Sequence, residues 1–185
     1  MNAASDNQLM QEVKFGKVEK LALLFEKYHV RIYNFFLRLT GSPGMSEDLV
    51  QEVFLRILKY RSTFKGQSPF IIWVYQIARN VHIDHLRKQK PSVSLEDQWT
   101  DLTAGENQPA ETLEKEHDID LVREALHRLP VKKREIIVLS RYQDLQYKEI
   151  AELLGCRIGT VKAQVHRAIQ QLGKIYRELQ GGIAT

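Results

Sequence analysis

Apolar residues recur along most of this chain at steps of three and four, which is the spacing of one face of an α-helix. The first such stripe begins near Val18 and ends at the Gly- and Pro-rich stretch Gly41–Gly44. No segment alternates apolar and polar residues as a half-buried strand does. The pattern therefore predicts an all-α protein. The first stripe consists of Leu21, Leu24, Phe25, Tyr28, Ile32, Phe35, Phe36 and Leu39.

The pattern predicts two more helices before residue 91. Ser46 is a candidate N-cap for the second helix, because acidic residues that suit a first turn follow it. A loop from Tyr60 to Ser68 comes next, and Pro69 suits the first position of a third helix. The apolar stripes are Leu49, Val50, Val53, Phe54, Ile57 and Leu58 in the second helix, and Phe70, Val74, Ile77, Ala78, Val81 and His85 in the third.

The composition changes between residues 91 and 116. This segment holds seven acidic residues against one cation, Lys115, and its prolines and Gly105 discourage a long helix. We expect a flexible acidic linker between two small helical domains. The expected division is an N-terminal segment 1–17 (a loose start that can become helical), a first domain 18–90, the linker 91–116, a second domain 117–180 and a tail 181–185.

The second domain contains the most informative stretch of the chain. Two short apolar patterns, one before and one after Gly155, predict two helices joined by a tight turn, which is a helix-turn-helix. Ala151 is small where these helices would cross, and Gly155 can adopt the positive φ that such a turn needs. Two helices are predicted before it, one with Ile119, Val122, Leu126 and Leu129, and one with Ile136, Ile137, Val138 and Leu139.

The outward face of the last predicted helix is polar or cationic and has no acidic residue. Such a face suits the major groove of DNA. The alternative is an ordinary helical hairpin with a solvated outer face, because apolar spacing alone does not separate the two. The absence of acidic residues favours DNA binding. The outward residues are Thr160, Lys162, Ala163, His166, Arg167 and Gln170.

Composition narrows the classes of protein further. Hydrophobic residues make up 43% of the 185 residues, yet no apolar run is long enough to span a bilayer. The polar first residues predict no secretory signal. The single cysteine, Cys156, excludes an internal disulfide and a cysteine-rich zinc site. The net charge of +4 is small, so the distribution of charge is more informative than its sum.

Two histidines and an aspartate, His82, Asp84 and His85, raise the alternative of a metal-dependent hydrolase. A catalytic zinc usually needs three protein ligands and an open position, and the sequence offers no obvious third ligand. No phosphate-binding loop or nucleophile motif occurs either. We therefore expect no catalysis, no metal site and no cofactor, and interpret these histidines as core or phosphate-facing residues.

Three segments together resemble a known family: SEDLVQEVFLRIL, FKGQSPFIIWVYQIARNVHIDHLR and ALHRLPVKKREIIVLSRYQDLQYKEIAELLGCRIGTVK. They are similar to bacterial RNA polymerase sigma factors of the extracytoplasmic-function (ECF) group. Phe25 to Lys90 resembles sigma domain two, and Leu121 to Leu179 resembles sigma domain four. The resemblance implies a non-catalytic cytoplasmic subunit that binds core RNA polymerase and directs promoter-specific initiation. The alternative is a free-standing helix-turn-helix repressor or activator.

The resemblance also implies partners. The acidic and amide face formed by Asp48, Gln51 and Glu52 would bind the clamp coiled coil of the largest polymerase subunit, and the flap of the second subunit is a further contact. On charge alone, this face is typical of a solvated helix surface. The family also implies an anti-sigma factor, often anchored in the inner membrane, and no small-molecule substrate. The linker would thread through the polymerase active-centre cleft, or serve as a plain tether.

For promoter DNA, the resemblance implies capture of a flipped base from the −10 non-template strand and reading of the −35 element as duplex. Aromatic residues beside cations suit single-stranded DNA, although the same aromatics could be core residues. Ala163-Gln164 replaces the Ser-Arg pair of many relatives, so the −35 preference does not transfer. Lys132, Lys133 and Arg134 either contact the DNA backbone or are solvated. The assigned −10 residues are Phe64, Lys65, Gly66, Gln67, Ser68, Trp73, Ile77, Asn80 and Arg87, and the assigned −35 residues are Thr160, Lys162, Ala163, His166 and Arg167.

Overall fold

The computed structural model describes residues 5–89 and 110–182, and every regular element in these ranges is helical, which confirms the all-α prediction. Short 3-10 turns at Val18–Lys20 and Arg61–Thr63 and a π-helical turn at Val138–Tyr142 connect some of the helices. Most of the expected acidic linker lies outside the described residues. In chain order the α-helices are α1 Asp6–Lys14, α2 Leu21–Thr40, α3 Pro43–Tyr60, α4 Phe70–Gln89, α5 Ala110–His127, α6 Val131–Ile137, α7 Tyr147–Leu154 and α8 Ile158–Gly182.

Helix α1 occupies most of the N-terminal segment for which a loose start was expected. The Ser5 hydroxyl accepts a hydrogen bond from the Gln8 N–H at 3.3 Å, and the Gln8 side chain accepts one from the Ser5 N–H at 2.8 Å. This reciprocal capping box satisfies backbone donors that a helix start otherwise leaves unpaired. Met10 and Val13 are fully buried, so the helix is also held by the core.

The junction between α2 and α3 differs from the prediction by one turn. Gly41 ends α2 with a φ of 72°. Ser42, and not Ser46, caps α3, because its hydroxyl accepts from the Met45 N–H at 3.4 Å. Pro43 fills the first helical position, where its fixed φ suits a helix start. Ser46 lies buried inside α3, and its hydroxyl donates to the Ser42 carbonyl at 2.6 Å.

Helices α2, α3 and α4 build the core of the first half around aromatic side chains. Phe35 packs edge-on against Tyr75 with ring centroids 5.3 Å apart, and Tyr28 packs similarly on Phe70 at 5.4 Å. Burial of one such side chain stabilises a fold by roughly 2 kcal/mol. His82 is buried in α4, whereas His85, which the apolar stripe placed in the core, is only half-buried.

The second half consists of α5 to α8 and contains the predicted helix-turn-helix. Helix α5 begins at Ala110, so residues 110–116 of the expected linker are helical. Ile119 is 56% exposed instead of buried. Gly155 has a φ of 62°, as the turn requires. Helix α8 continues to Gly182, past the expected start of the tail. The buried residues at the α7–α8 crossing are Ile150, Ala151, Leu153, Val161, Val165 and Ala168.

The two halves are in direct contact, and their buried apolar residues form one continuous core. Arg134 of α6 lies at the centre of this contact and is almost fully buried, so in this arrangement it is neither solvated nor available to DNA, contrary to both predicted alternatives. Its Nη1 donates to the Leu39 carbonyl of α2 at 2.5 Å, and its Nε donates to the Leu126 carbonyl of α5 at 3.0 Å. Burial lowers the pKa of Arg134 to about 10, so the guanidinium stays charged at neutral pH.

Polar contacts surround Arg134 along the same interface. Arg79 of α4 donates to both carboxylate oxygens of Glu135, at 2.8 and 3.3 Å. The buried Tyr75 hydroxyl donates to Oε1 of Gln143 at 2.5 Å, and Arg31 donates to the Gln143 carbonyl at 2.7 Å. A bidentate charged pair such as Arg79 with Glu135 fixes geometry as well as supplying energy. The interface therefore sets one defined arrangement of the two halves.

Candidate polymerase- and DNA-binding surfaces

The predicted polymerase face lies on the solvent side of α3. Asp48 and Gln51 are exposed, and the Glu52 side chain is 45% exposed. Arg56 pairs with Glu52 at 2.6 Å and with Asp84 of α4 at the same distance. The Glu52 carboxylate is thus held in place by a cation of its own helix, while the neighbouring Gln51 and Asp48, one turn earlier, are exposed to solvent.

Leu55 is an apolar residue on this face that the sequence reasoning missed. Residues 48, 51, 52 and 55 fall on one side of a helix with 3.6 residues per turn. Leu55 is 62% exposed, whereas Leu49 of the same helix is buried. Its exposure could have been predicted from the sequence, because Leu55 lies outside the apolar stripe of α3. An exposed leucine beside acidic and amide groups is typical of a protein-binding surface, where apolar contacts supply energy and polar groups supply specificity.

The predicted −10 loop follows the turn that ends α3. The Phe64 ring is only 2% exposed, and it packs edge-on against Trp73 with centroids 5.2 Å apart. Its ring therefore supports the loop from below and does not present a stacking face to a base. Lys65 and Gln67 are exposed, and Gly66 has a φ of 71°, which a glycine adopts without strain.

A strip of predicted −10 residues continues along α4. Trp73, Asn80 and Arg87 are seven residues apart and therefore share one side of the helix. Trp73 is half-buried, whereas Asn80 and Arg87 are exposed. Ile77 is only 8% exposed, so it contributes to the floor of the strip and not to its surface. Tyr75, an aromatic residue of the same helix that could stack on a base or belong to the core, is a buried residue of the interface between the halves.

The predicted −35 residues lie along the outer side of α8. Thr160, Lys162, His166 and Arg167 are exposed, and Ala163 is half-buried. Residues 158–170 contain no acidic residue. Exposed cations and small polar groups on one helix face can contact phosphates and base edges together. The geometry is that of a helix available to the major groove.

Two histidines, the buried His82 and the partly buried His127, lie near Arg134 at the contact between the halves. Burial, with the charges of His85 and Arg134 adding to it, lowers the pKa of His82 to about 4. Burial also lowers the pKa of His127 to about 4, helped by Arg134 and Arg123. Both imidazoles are therefore neutral at pH 7.

The histidines that suggested a metal site do not converge on one. His82 is buried next to the second half, while Asp84 pairs with Arg56 of α3. In the two described stretches of chain, no three His, Cys, Asp or Glu side chains are grouped as metal ligands. None of the helices described here is long and apolar enough to cross a membrane.

Comparison with known proteins places both halves of the chain in one family. A model described as "Sigma-70 region 2" matches residues 24–91, and one described as "Sigma-70, region 4" matches residues 119–172. The chain is 30% identical over 179 residues to the ECF RNA polymerase sigma factor SigW of Bacillus subtilis (strain 168), covering 92% of this chain and 96% of SigW.

Two solved structures share the fold. CnrH, solved in complex with the cytosolic domain of CnrY, has a TM-score of 0.71 at 20% identity and covers 95% of this chain and 99% of CnrH. The sigma factor RpoE of Bartonella quintana, solved with the anti-sigma factor NepR, has a TM-score of 0.65 at 22% identity, with 86% of this chain and 98% of that one covered.

Proposed function

Because this chain belongs to the sigma-70 family, in its extracytoplasmic-function group, we propose that its two halves divide promoter recognition between them. The chain is a promoter-directing, non-catalytic subunit of RNA polymerase. We assign core polymerase and the −10 element to the first half, residues 18–90, and the −35 element to the second half, residues 117–180. The observation that carries this assignment is that both region matches occur in order, each on a half with its own exposed polar surface.

The polymerase contact is assigned to Asp48, Gln51 and Glu52, with Leu55 added from its exposure. Acidic side chains on a rigid helix suit a basic helical partner such as the clamp coiled coil. Leu55 would then lose its solvent exposure in the complex, which favours association. We assign the flap of the second polymerase subunit to the second half of the chain.

The −10 element is assigned to the loop Phe64–Ser68 and to the strip of Trp73, Ile77, Asn80 and Arg87 on α4. Phe64 and Ile77 act here as supports, because their side chains are buried. Flipping one base costs a few kcal/mol, which contacts to the exposed base and strand would offset. Melting of the −10 element then needs no ATP.

The −35 element is assigned to Thr160, Lys162, Ala163, His166 and Arg167 of α8. Lys162 and Arg167 carry the positive charge of this face, and either can reach phosphate or a guanine edge. This arrangement also suits a free-standing repressor. A repressor would have no use for the polymerase face on α3, and the family match does not favour it.

An anti-sigma factor is the third partner that we propose. RpoE of Bartonella quintana was solved bound to the anti-sigma factor NepR, and we extend that kind of partner to this chain. We place the chain in the bacterial cytoplasm, where core polymerase acts. An anti-sigma factor anchored in the inner membrane would hold the chain at the membrane until a signal releases it.

Charge reversal on α3 tests the polymerase assignment. The double variant Asp48→Lys, Glu52→Lys should weaken binding to purified core polymerase at least tenfold, measured by fluorescence anisotropy of the labelled chain. The control is Glu124→Lys, which reverses an exposed acidic residue of α5 in a surface pair with Arg128. Equal affinity of the double variant and the wild type would reject the assignment and favour the repressor.

A further inference from the structure

Side chains of α1 hold the backbone of the −10 loop, and the proposed function leaves this contact unexplained. The Asn7 amide nitrogen donates to the Ser68 carbonyl at 3.1 Å and to the Gly66 carbonyl at 3.3 Å. The Asn7 amide oxygen accepts from the Phe70 N–H at 2.7 Å. One side chain therefore uses both its donor and its acceptor atoms on three backbone groups of the same short segment.

Asn7 also supplies the N-terminal cap of α4. Helix α4 begins at Phe70, directly after Pro69, whose ring has no acceptor for the first helical N–H groups. The Ser68 hydroxyl, the nearest alternative, donates to the Glu152 carboxylate of α7. The Asn7 oxygen takes the place that a capping side chain normally fills. The start of α4 is therefore fixed by a residue in the first helix of the chain.

Two further residues of α1 contact the same loop. The Lys14 ammonium donates to the Phe64 carbonyl at 2.7 Å, at the first residue of the loop. The Gln11 amide nitrogen lies 2.6 Å from the point that a Cβ on Gly66 would occupy, so the side chain covers the loop apex closely. Together with Asn7, these contacts hold the beginning, the apex and the end of the loop.

Helix α1 is rigidly attached to the body of the first half. Its Asp6 carboxylate accepts from the Tyr28 hydroxyl at 2.5 Å and from the Lys27 ammonium at 2.7 Å. Met10 and Val13 are fully buried in the core. All these contacts join α1 to the first half, so they do not depend on the second half, whereas the contact of Ser68 with Glu152 of α7 does.

We propose that α1 is part of the −10 recognition module and that Asn7 is the positioning residue that sets the shape of the loop. This inference rests on the proposed function, which assigns the loop to the flipped base. A loop held in its binding shape spends less free energy on ordering when it binds, and it discriminates better between bases. Asn7 acts through the loop backbone and does not itself touch DNA.

The test measures base preference with a reconstituted holoenzyme. Core polymerase and the full chain transcribe a promoter whose −10 region has been randomised, and sequencing of the transcribed templates gives the preference at each position. Asn7→Ala should reduce the strongest −10 preference roughly tenfold, as expected for the loss of several hydrogen bonds. The −35 preference, from a second randomised library, and the affinity for core polymerase should stay within twofold of wild type.

Three further variants make the test specific. Asn7→Asp keeps an acceptor for the Phe70 N–H but loses both donors, so its −10 preference should fall between those of Asn7→Ala and wild type. Lys14→Met removes only the hydrogen bond to the Phe64 carbonyl and should reduce the −10 preference about threefold. The control Lys27→Ala removes a contact of α1 that does not involve the loop, and it should match wild type.

The possible outcomes separate this inference from the proposed function. An Asn7→Ala holoenzyme with the wild-type −10 preference overturns the inference and leaves the proposed function intact. Parallel loss of the −10 preference, the −35 preference and polymerase binding also overturns it, because Asn7 would then support only folding. A wild-type holoenzyme without any −10 preference would reject the proposed function, and this inference with it.

Discussion

His82 is a buried imidazole whose protonation opposes folding. Its pKa is lowered to about 4, first by burial, whereas an unfolded histidine has a pKa of about 6.5. The folded state therefore binds fewer protons than the unfolded state between these values, and stability falls as the pH falls from about 6.5 towards 4. Above pH 7 His82 is neutral in both the folded and the unfolded state, so it no longer makes stability depend on pH.

This linkage predicts that the free energy of unfolding drops by about 2 kcal/mol between pH 7 and pH 5 through His82 alone. His127, which is more exposed, adds a smaller loss in the same direction. Urea denaturation of wild type and His82→Leu at both pH values measures the difference, with the exposed His166→Leu as the control. Equal pH dependence of wild type and His82→Leu would show that His82 does not carry the effect.

At the scale of single residues, the sequence predicted side-chain exposure best where exposure depends on the spacing within one helix alone. The outward face of α8 is an example, because Thr160, Lys162 and His166 follow directly from helical spacing. Arg134 was placed wrongly, and the role of Phe64 stayed open between base stacking and core, for a common reason: both are buried by residues distant in sequence. Periodicity within one segment carries no information about a partner such as the Leu39 carbonyl, 95 residues away.

Helix α3 presents a combined surface of acidic, amide and apolar groups. If it binds the clamp, Leu55 becomes buried in the complex, and truncating it removes apolar contact without affecting the isolated fold. Leu55→Ala should weaken binding to core polymerase five- to tenfold and leave the midpoint of urea unfolding unchanged. The control is Ile119→Ala, which truncates an exposed apolar residue of α5. If both variants bind like wild type, Leu55 lies outside the interface.

At the scale of elements, apolar spacing predicted α2 to α8 in type and approximate position. Helix α1 was foreseen only as a loose start that can become helical, because only Met10 and Val13 are buried in it, too few positions for a clear period. Its capping box, Ser5 with Gln8, was the better signal. The π-helical turn Val138–Tyr142 has no signature in the apolar spacing, and Gln143, directly after it, contacts residues of the first half that are distant in sequence.

The contact between the halves limits the span of the whole molecule. A folded chain of this length has a diameter of about 40 Å. The −35 and −10 elements are about 25 base pairs apart by their own names, or roughly 85 Å at 3.4 Å per base pair of straight duplex. The described arrangement therefore cannot occupy both elements, and the interface around Arg134 must separate on the promoter.

We therefore predict a large increase in the distance between the halves during initiation. Fluorescent labels attached to cysteines at Lys59 of α3 and Lys174 of α8, with Cys156 replaced by serine, report that distance by energy transfer. The free chain should give high transfer, and the promoter-bound holoenzyme should give low transfer. Arg79→Ala, which weakens the interface, should lower the energy transfer of the free chain part of the way towards the promoter-bound value. High transfer in the promoter complex would contradict the prediction.

The contact between the halves was the part of the molecule least accessible from sequence. An acidic segment between two helical patterns predicts a tether, and nothing in it indicates whether the tethered halves meet. Whether they meet depends on ion pairs such as that of Arg79 with Glu135. In the sequence, each of these two residues is equally compatible with a solvated surface. Only the three-dimensional arrangement identifies them as an interface.

The central claim is that this chain gives core polymerase its choice of promoter. The most direct test transcribes genomic DNA of the source bacterium with core polymerase, with and without the purified chain, and sequences the 5′ ends of the transcripts. We predict new start sites that depend on the chain and share one pair of sequence elements near −35 and −10. A chain that is folded, and stripped of any inhibitor, yet produces no such start sites would contradict the claim.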